Sequence, residues 1–118
     1  MSGLIIPVIP TRDWDSSLHY YTSFLGFTAD WVWDKDGHFA QLSRAGLKVY
    51  LSDDAQLSAP QKLYFYVEDV DASYLPLSAA DPTLTPPVNT AWRNREFYLK
   101  DPAGNQLVLA TPFSRLGR

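Results

Sequence analysis

The side chains that could perform acid–base or metal chemistry are few in this chain. Cysteine is absent and histidine occurs twice, as His19 and His38. Thiol catalysis is therefore excluded, and a metal site with three or four converging ligands lacks its usual donors. The chain also has no Gly-x-Ser-x-Gly nucleophile motif and no glycine-rich phosphate loop. The sequence predicts two ordinary surface histidines, and a general acid or base role is left open for Glu96.

Four further carboxylates occur as two close pairs. Asp34 lies near Asp36, and Asp53 precedes Asp54, in segments where turns are predicted. Paired acids could serve acid–base catalysis. We prefer to interpret all four as solvated turn residues, because aspartate is common in turns for local hydrogen-bonding reasons.

Aromatic side chains are the feature that points to binding. They form 14% of the chain and include four tryptophans and seven tyrosines, more than a small core needs. A planar ring in a cleft stacks on a planar or cationic guest. Trp92 lies in a loop rich in proline and asparagine, where core packing is less usual. Trp31, Trp33 and Phe39 fit either a cleft or a core.

Tyrosines also share strand faces. Tyr50 lies on one face of a strand predicted at 47–52, and Tyr64 and Tyr66 lie together on one face of a strand predicted at 63–67. Tyrosine has an apolar body and a polar tip, so these residues favour a half-wet cavity. The alternative is that they cover a sheet edge or a subunit contact.

Composition narrows the class of protein. With 118 residues, 46% of them hydrophobic and 19% charged, the chain predicts one folded domain. A net charge of −3 disfavours nucleic acid as a partner and favours a cationic small molecule. Prolines interrupt the short apolar run at 4–6, and no run approaches the roughly 18 residues of a membrane span. We therefore expect a soluble cytoplasmic protein without a signal peptide.

Two helices are predicted. The first follows Asp13 as its N-cap and ends at Gly26. Its apolar stripe at helical spacing consists of Trp14, Leu18, Tyr21 and Leu25. The second follows Asp69 and covers 70–80. Pro76 lacks a backbone N–H, so this helix is expected to end near residue 75 or to kink.

The strands complete a repeated pattern. They are predicted at residues 4–9, 28–34, 38–44, 47–52, 63–67, 83–88 (a weak strand), 94–100 and 106–111. Tight-turn residues occupy 34–37, 44–46 and 101–105. A polar linker at 53–60 separates two similar βαβββ modules, at about 1–53 and 61–118, within the single domain 1–118.

Two segments carry a resemblance to a known family. Residues 10–13, His19-Tyr20-Tyr21 and Phe24-Leu25-Gly26-Phe27 resemble the opening of the glyoxalase/bleomycin-resistance group, also called the vicinal oxygen chelate superfamily. The segment from Arg95 to Asn105 is similar to the signature of its second half. The resemblance implies an α+β fold in which paired βαβββ modules form a cupped mixed sheet.

The resemblance also implies positions for a metal site. Enzymes of this family usually hold a divalent metal with four side chains from four strands. Those positions fall here at Ile6, at Tyr50 or Leu51, at Lys62 and at Val108. Aliphatic side chains cannot bind a metal, and Lys62 would bring a positive charge to it. We therefore expect neither a metal site nor a resident cofactor, although a metal could arrive with a bound drug.

The members without those ligands are the bleomycin-resistance proteins, which this chain resembles most. The resemblance implies a homodimer that exchanges its first strands, with two clefts at the interface. It also implies that Trp92 and Phe39 sandwich a planar bithiazole, and that Asp30, Asp34, Asp36 and Glu96 attract a cationic tail. The residues expected to bind the ligand are Trp92, Phe39, Trp31, Trp33, Tyr64, Tyr66, Tyr50, Glu96 and Asp30.

The expected function is antibiotic resistance by drug sequestration. A non-catalytic protein would bind a bleomycin-type glycopeptide without changing it. Two alternatives stay open: a metal-dependent lyase or dioxygenase of the same fold, and a binder of another small planar ligand. The sequence leaves undecided which of Trp31 and Trp33 faces the cleft.

Overall fold

The structure is a computed structural model that describes residues 1–58 and 60–115. Ala59 of the predicted linker and the last three residues of the second predicted module lie outside the described residues. The strands are β1 (Val8–Pro10), β2 (Thr28–Trp33), β3 (Phe39–Arg44), β4 (Leu47–Ser52), β5 (Lys62–Tyr66), β6 (Val88–Asn89), β7 (Asn94–Lys100) and β8 (Gln106–Pro112). The helices are α1 (Trp14–His19), continued by a π-helical turn (Tyr20–Phe24), α2 (Val70–Ala80) and a 3-10 turn (Phe113–Arg115).

The strands form two four-stranded mixed sheets with the same topology. The first sheet has the order β1-β4-β3-β2 and the second the order β5-β8-β7-β6, and in each the two strands named first pair in parallel. The chain divides into two compact units, residues 1–61 with 101–105, and residues 62–100 with the chain from Gln106 onward. The predicted α+β class and the repeated βαβββ order are confirmed.

In the first unit, α1 buries the side chains of Trp14 and Ser17. Asp13 caps the helix by accepting a hydrogen bond from the backbone N–H of Ser16 at 3.3 Å, as predicted. The π-helical turn then carries Tyr21 and Leu25 inward, and Gly26 ends the element with φ +80°, which suits glycine. The buried hydrophobic residues of this unit are Ile9, Trp14, Tyr21, Leu25, Phe27, Ala40, Leu42, Val49 and Leu51.

The predicted first strand was too long. Only Val8–Pro10 pairs with β4. Leu4 and Ile5 are exposed and belong to no strand. Apolar composition favours a strand, but a strand needs a neighbour for its backbone groups, and the first backbone hydrogen bond to β4 is made by the carbonyl of Pro7.

One further boundary differs from the prediction. The weak strand expected at 83–88 is the short β6, Val88–Asn89. Helix α2 covers the predicted residues 70–80 and continues through Pro76 rather than ending near residue 75. The residues after the proline bury Leu77, and this packing offsets the missing backbone hydrogen bond, since tertiary contacts supply most helical stability in proteins.

The β3–β4 turn has two consecutive residues in the left-handed region. Ala45 has φ +48° and Gly46 φ +86°, the pattern of a type I′ hairpin turn, whose twist matches that of the strands. This turn sets the register in which Phe39 faces Ser52.

Replacing Gly46 with alanine is expected to lower the free energy of unfolding by about 1 kcal/mol, because a Cβ is disfavoured at this φ. An added Cβ would meet no atom within 4 Å, and the same is true at Gly3. Gly3, whose φ is not positive, is therefore the matched control in urea unfolding. Equal losses for the two alanine variants would contradict the assignment to backbone strain.

The turn between β7 and β8 holds a buried polar network in the first unit. The carboxylate of Asp101 accepts hydrogen bonds from the hydroxyl of Tyr21 at 2.6 Å and from the side-chain amide of Asn105 at 2.9 Å. That amide also donates to the backbone carbonyl of Pro10 at 2.8 Å. Burial, and then the charge of Asp101, raise the pKa of the Tyr21 hydroxyl. Asp101 and Asn105 therefore stabilise the first unit.

No helix among the described residues is long and apolar enough to cross a membrane.

Candidate ligand-binding surfaces

The first unit carries an aromatic cluster on the sheet face opposite its core. The ring of Phe39 lies 4.8 Å from that of Tyr50, and the ring of Trp31 lies 5.6 Å from Phe39 and 5.8 Å from Tyr50 between centroids. The three come from adjacent strands, since β3 pairs with both β2 and β4. We call Trp31, Phe39 and Tyr50 the first aromatic surface.

Asp30 lies beside this cluster at an irregularity in β2. The register with β3 shifts between Ala29 and Trp31, which is the mark of a β-bulge and redirects a side chain. Asp30 accepts hydrogen bonds from Gln41 at 3.1 Å and Ser43 at 2.8 Å. These two bonds lower the pKa of its exposed carboxyl, so Asp30 presents a negative charge next to the rings.

Trp33 contributes to a different place from Trp31. Its indole N–H donates to the carbonyl oxygen of Lys35 at 2.9 Å, which holds the ring over the β2–β3 loop. There it lines a pocket of about 430 Å³ together with Phe39, His38 and Asp53. Trp31 and Trp33 therefore line two neighbouring surfaces.

His38 and Asp53 form a pair that the sequence prediction missed. The predictions were an ordinary surface histidine and a solvated turn carboxylate. Nδ1 of His38 instead lies 2.6 Å from Oδ2 of Asp53, and the backbone N–H of His38 donates to Oδ1 at 2.8 Å. The sequence could have predicted this pair. The β3–β4 hairpin places Phe39 opposite Ser52, and His38 and Asp53 are the next residues beyond these two.

The second unit carries its own aromatic surface. Tyr64 and Tyr66 stack with ring centroids 6.1 Å apart and ring planes at 21°. Trp92 is 62% exposed and Tyr98 is 38% exposed. We call these four residues the second aromatic surface. Tyr98 was not among the predicted ligand-binding residues, although its alternation with Glu96 on β7 places both on one face.

A buried carboxylate lies beneath this surface. Glu96 is 0% exposed. It accepts hydrogen bonds from the indole N–H of Trp92, the amide of Asn94 and the hydroxyl of Tyr98, each at 2.9 Å. The same amide reaches the hydroxyl of Tyr66 at 3.2 Å. One carboxylate thus holds, directly or through Asn94, three of the four rings.

The titration of this network follows from the same contacts. Burial alone would raise the pKa of Glu96, but the hydrogen bonds from Asn94, Trp92 and Tyr98, with the charge of Lys62, lower it overall. Burial and the bond to Glu96 raise the pKa of Tyr98 to about 12. The carboxylate is therefore ionised and the phenol protonated at neutral pH.

The loop that presents Trp92 is held at both ends. The backbone N–H of Thr90 donates to the carbonyl of Asn94 at 2.8 Å, and the N–H of Arg93 donates to Thr90 at 3.2 Å. Arg93 has φ +70°, a conformation that costs a non-glycine residue energy and is often found at ligand sites. Trp92 is thus an exposed ring in a fixed position.

A family model matches most of the chain. The model of the glyoxalase/bleomycin resistance protein/dioxygenase superfamily matches residues 4–109. The chain belongs to this superfamily. No sequence among the curated proteins matches the chain.

Solved structures of several other proteins share the fold. TnmS3, an antibiotic-binding protein from Streptomyces sp. CB03234, is 24% identical with a TM-score of 0.80, over 95% of this chain and 97% of that one. A bleomycin-binding protein from Streptomyces verticillus, solved with copper(II)-bleomycin, is 24% identical with a TM-score of 0.73, over 92% and 97%. A lactoylglutathione lyase from Agrobacterium tumefaciens is 16% identical with a TM-score of 0.77, over 98% and 96%.

The positions that the superfamily resemblance assigns to metal ligands do not fit a metal. Val108 is buried and aliphatic, and Ile6 lies before β1. The ammonium of Lys62 lies 5.6 Å from the ring of Tyr64. The ring of Tyr50 packs on Phe39. Within residues 1–58 and 60–115, no group of three or more His, Asp or Glu side chains converges as a metal would require.

Proposed function

We propose that this superfamily member binds and sequesters a bleomycin-type glycopeptide antibiotic without changing it. The proposal includes a homodimer in the cytoplasm, with the ligand in aromatic clefts at the dimer interface and no resident metal. Protection would come from affinity alone, because bound drug is unavailable to its target. Mass action then requires protein in at least stoichiometric amount and a dissociation constant below the drug concentration.

The observation that supports this proposal most strongly is the fixed exposure of Trp92. Trp92 is 62% exposed, so it is not a core residue. Its indole N–H nevertheless donates to the buried carboxylate of Glu96 at 2.9 Å, which fixes the exposed ring in place. Exposed apolar rings on a rigid support suit stacking on a planar guest, since little side-chain entropy is lost on binding. Asp30 supplies negative charge for a cationic group.

The chemistry at the superfamily ligand positions favours binding over catalysis. Val108 and Ile6 carry no donor atom, so we propose no metal-dependent lyase or dioxygenase step. Elemental analysis of the purified protein separates the two functions. A tightly held stoichiometric zinc, nickel, manganese or iron would favour an enzyme.

Titration of tryptophan fluorescence with metal-free and copper-loaded bleomycin tests the proposal. We expect quenching that saturates at one ligand per cleft. No response at tens of micromolar drug would overturn bleomycin as the ligand. A thermal-shift screen of other planar cationic and neutral compounds would then identify the alternative ligand, because only a compound that prefers the folded state raises the melting temperature.

Trp92→Ala is expected to weaken bleomycin binding by about 1–3 kcal/mol, the range of an interface hot spot. The matched control is Leu75→Ala, because Leu75 is similarly exposed, at 66%, and lies on α2 of the same unit. Isothermal titration calorimetry on both variants measures the difference. Equal affinities for the two variants would remove Trp92 from the proposed site.

A further inference from the structure

The pocket around His38 has walls suited to a flat ligand. It encloses about 430 Å³, and its lining includes Trp33 and Phe39. The indole N–H of Trp33 is already bonded to Lys35, so its ring offers a face and no free donor. The pocket lies entirely within the first unit.

His38 is oriented within this pocket by three contacts. Its Nδ1 lies 2.6 Å from Oδ2 of Asp53, its backbone N–H donates to Oδ1 of the same carboxylate, and its ring stacks on Trp14 with centroids 5.0 Å apart and planes at 19°. The hydrogen bond from the backbone of His38 lowers the pKa of Asp53. An ionised carboxylate only accepts hydrogen bonds, so the ring proton resides on Nδ1. In the neutral ring, Nε2 is then a hydrogen-bond acceptor in a fixed direction.

The charged side chains that line the pocket are mostly carboxylates. Its lining contains the carboxylates of Asp36, Asp53 and Asp54 against the single ammonium of Lys35. A guest with N–H donors and positive charge therefore satisfies both the acceptor nitrogen and the excess of carboxylates, while flat walls favour a planar group beside the charge.

We propose that the His38 pocket binds a flat organic cation, an aromatic amidinium or ammonium group, with Nε2 of His38 accepting one of its N–H bonds. Trp33 and Phe39 contact the planar part of this ligand, and Asp53 is a positioning residue that sets the tautomer of His38. The pocket shares Phe39 with the first aromatic surface, but the histidine spectra and the antibiotic titration are separate measurements, so either proposal can fail alone.

Nitrogen NMR of the imidazoles tests the proposal with benzamidine as the probe. The chain has two histidines, so His19, on α1, is an internal control in every spectrum. Benzamidine should shift the Nε2 resonance of His38 and leave His19 unchanged. Neutral benzamide and anionic benzoate should cause no shift.

Three NMR outcomes would overturn the proposal. The first is no shift of His38 at about 10 mM benzamidine, which excludes even a weak site. The second is an equal shift with benzamide, which removes the role of charge. The third is a preference for benzoate, which assigns the pocket to anions.

Two matched variants test the role of Asp53. Asp53→Asn and Asp54→Asn remove the same charge from the same pocket, but only the first can donate to Nδ1 and move the ring proton to Nε2. We expect Asp53→Asn to weaken benzamidine binding about tenfold or more, the effect of a lost charge-assisted hydrogen bond, and to change the tautomer seen by NMR. Equal, small losses in both variants would overturn the positioning role, and the wild-type spectra decide the binding site even if a variant fails to fold.

Discussion

Asp101→Ala is expected to lower the free energy of unfolding by about 3–5 kcal/mol, the cost of removing one partner from a buried polar network that includes a charge. Asp101 is 4% exposed. Its carboxylate accepts the backbone N–H groups of Ala103 at 3.0 Å and Asn105 at 2.9 Å, in addition to the side chains of Tyr21 and Asn105. Alanine would remove the acceptor of these four hydrogen bonds.

Urea unfolding measures this loss in Asp101→Ala and compares it with the loss in a control variant, Asp81→Ala. Asp81 also accepts two local hydrogen bonds, both from Thr83, but in an exposed setting. Water replaces such bonds, so Asp81→Ala should cost about 1 kcal/mol or less. A loss of similar size in both variants would show that the Asp101 network does not hold the first unit together.

Glu96→Gln is expected to be the second largest effect, with a loss of about 2 kcal/mol at neutral pH. Glutamine keeps the shape but replaces one acceptor oxygen by an N–H₂ group that faces donors. The hydroxyl of Tyr98 can accept from this N–H₂ group, but the uncharged oxygen left for the indole of Trp92 is a weaker acceptor than the carboxylate. Trp92 should gain mobility, visible as a lower fluorescence anisotropy, and bleomycin affinity should fall with it.

The pH dependence of this variant has a definite sign. The folded protein lowers the pKa of Glu96, so the carboxylate stabilises the fold above the unfolded pKa of about 4.3, and this contribution is lost as pH falls through the folded pKa. The stability gap between wild type and Glu96→Gln should therefore narrow on acidification below about pH 4. Glu68→Gln, at an exposed position, is the control. A gap that widens in acid would contradict the ionised, hydrogen-bonded carboxylate.

Local patterns were sufficient to predict most elements. Helix caps at Asp13 and Asp69 and the hairpin turn at Ala45 and Gly46 were predicted because capping and left-handed conformations depend on a few neighbouring residues. Alternation correctly placed Tyr64 and Tyr66 on one face. The start of β1 was wrong because it depends on pairing with β4, whereas the helix predicted over 70–80 was correct and continues through Pro76.

The sequence by itself determined the elements, their repeated order and the chemistry that is available: many rings, few donors for a metal and no thiol. Only the tertiary structure decided which polar residues form buried or paired hydrogen-bond networks. Glu96 and Asp101 differ little from surface carboxylates in composition or local pattern, and His38 meets Asp53 across 15 positions of chain. The physical reason is that burial and hydrogen-bond partners are set by strand register and packing between distant segments, whereas caps and turns are set by adjacent residues.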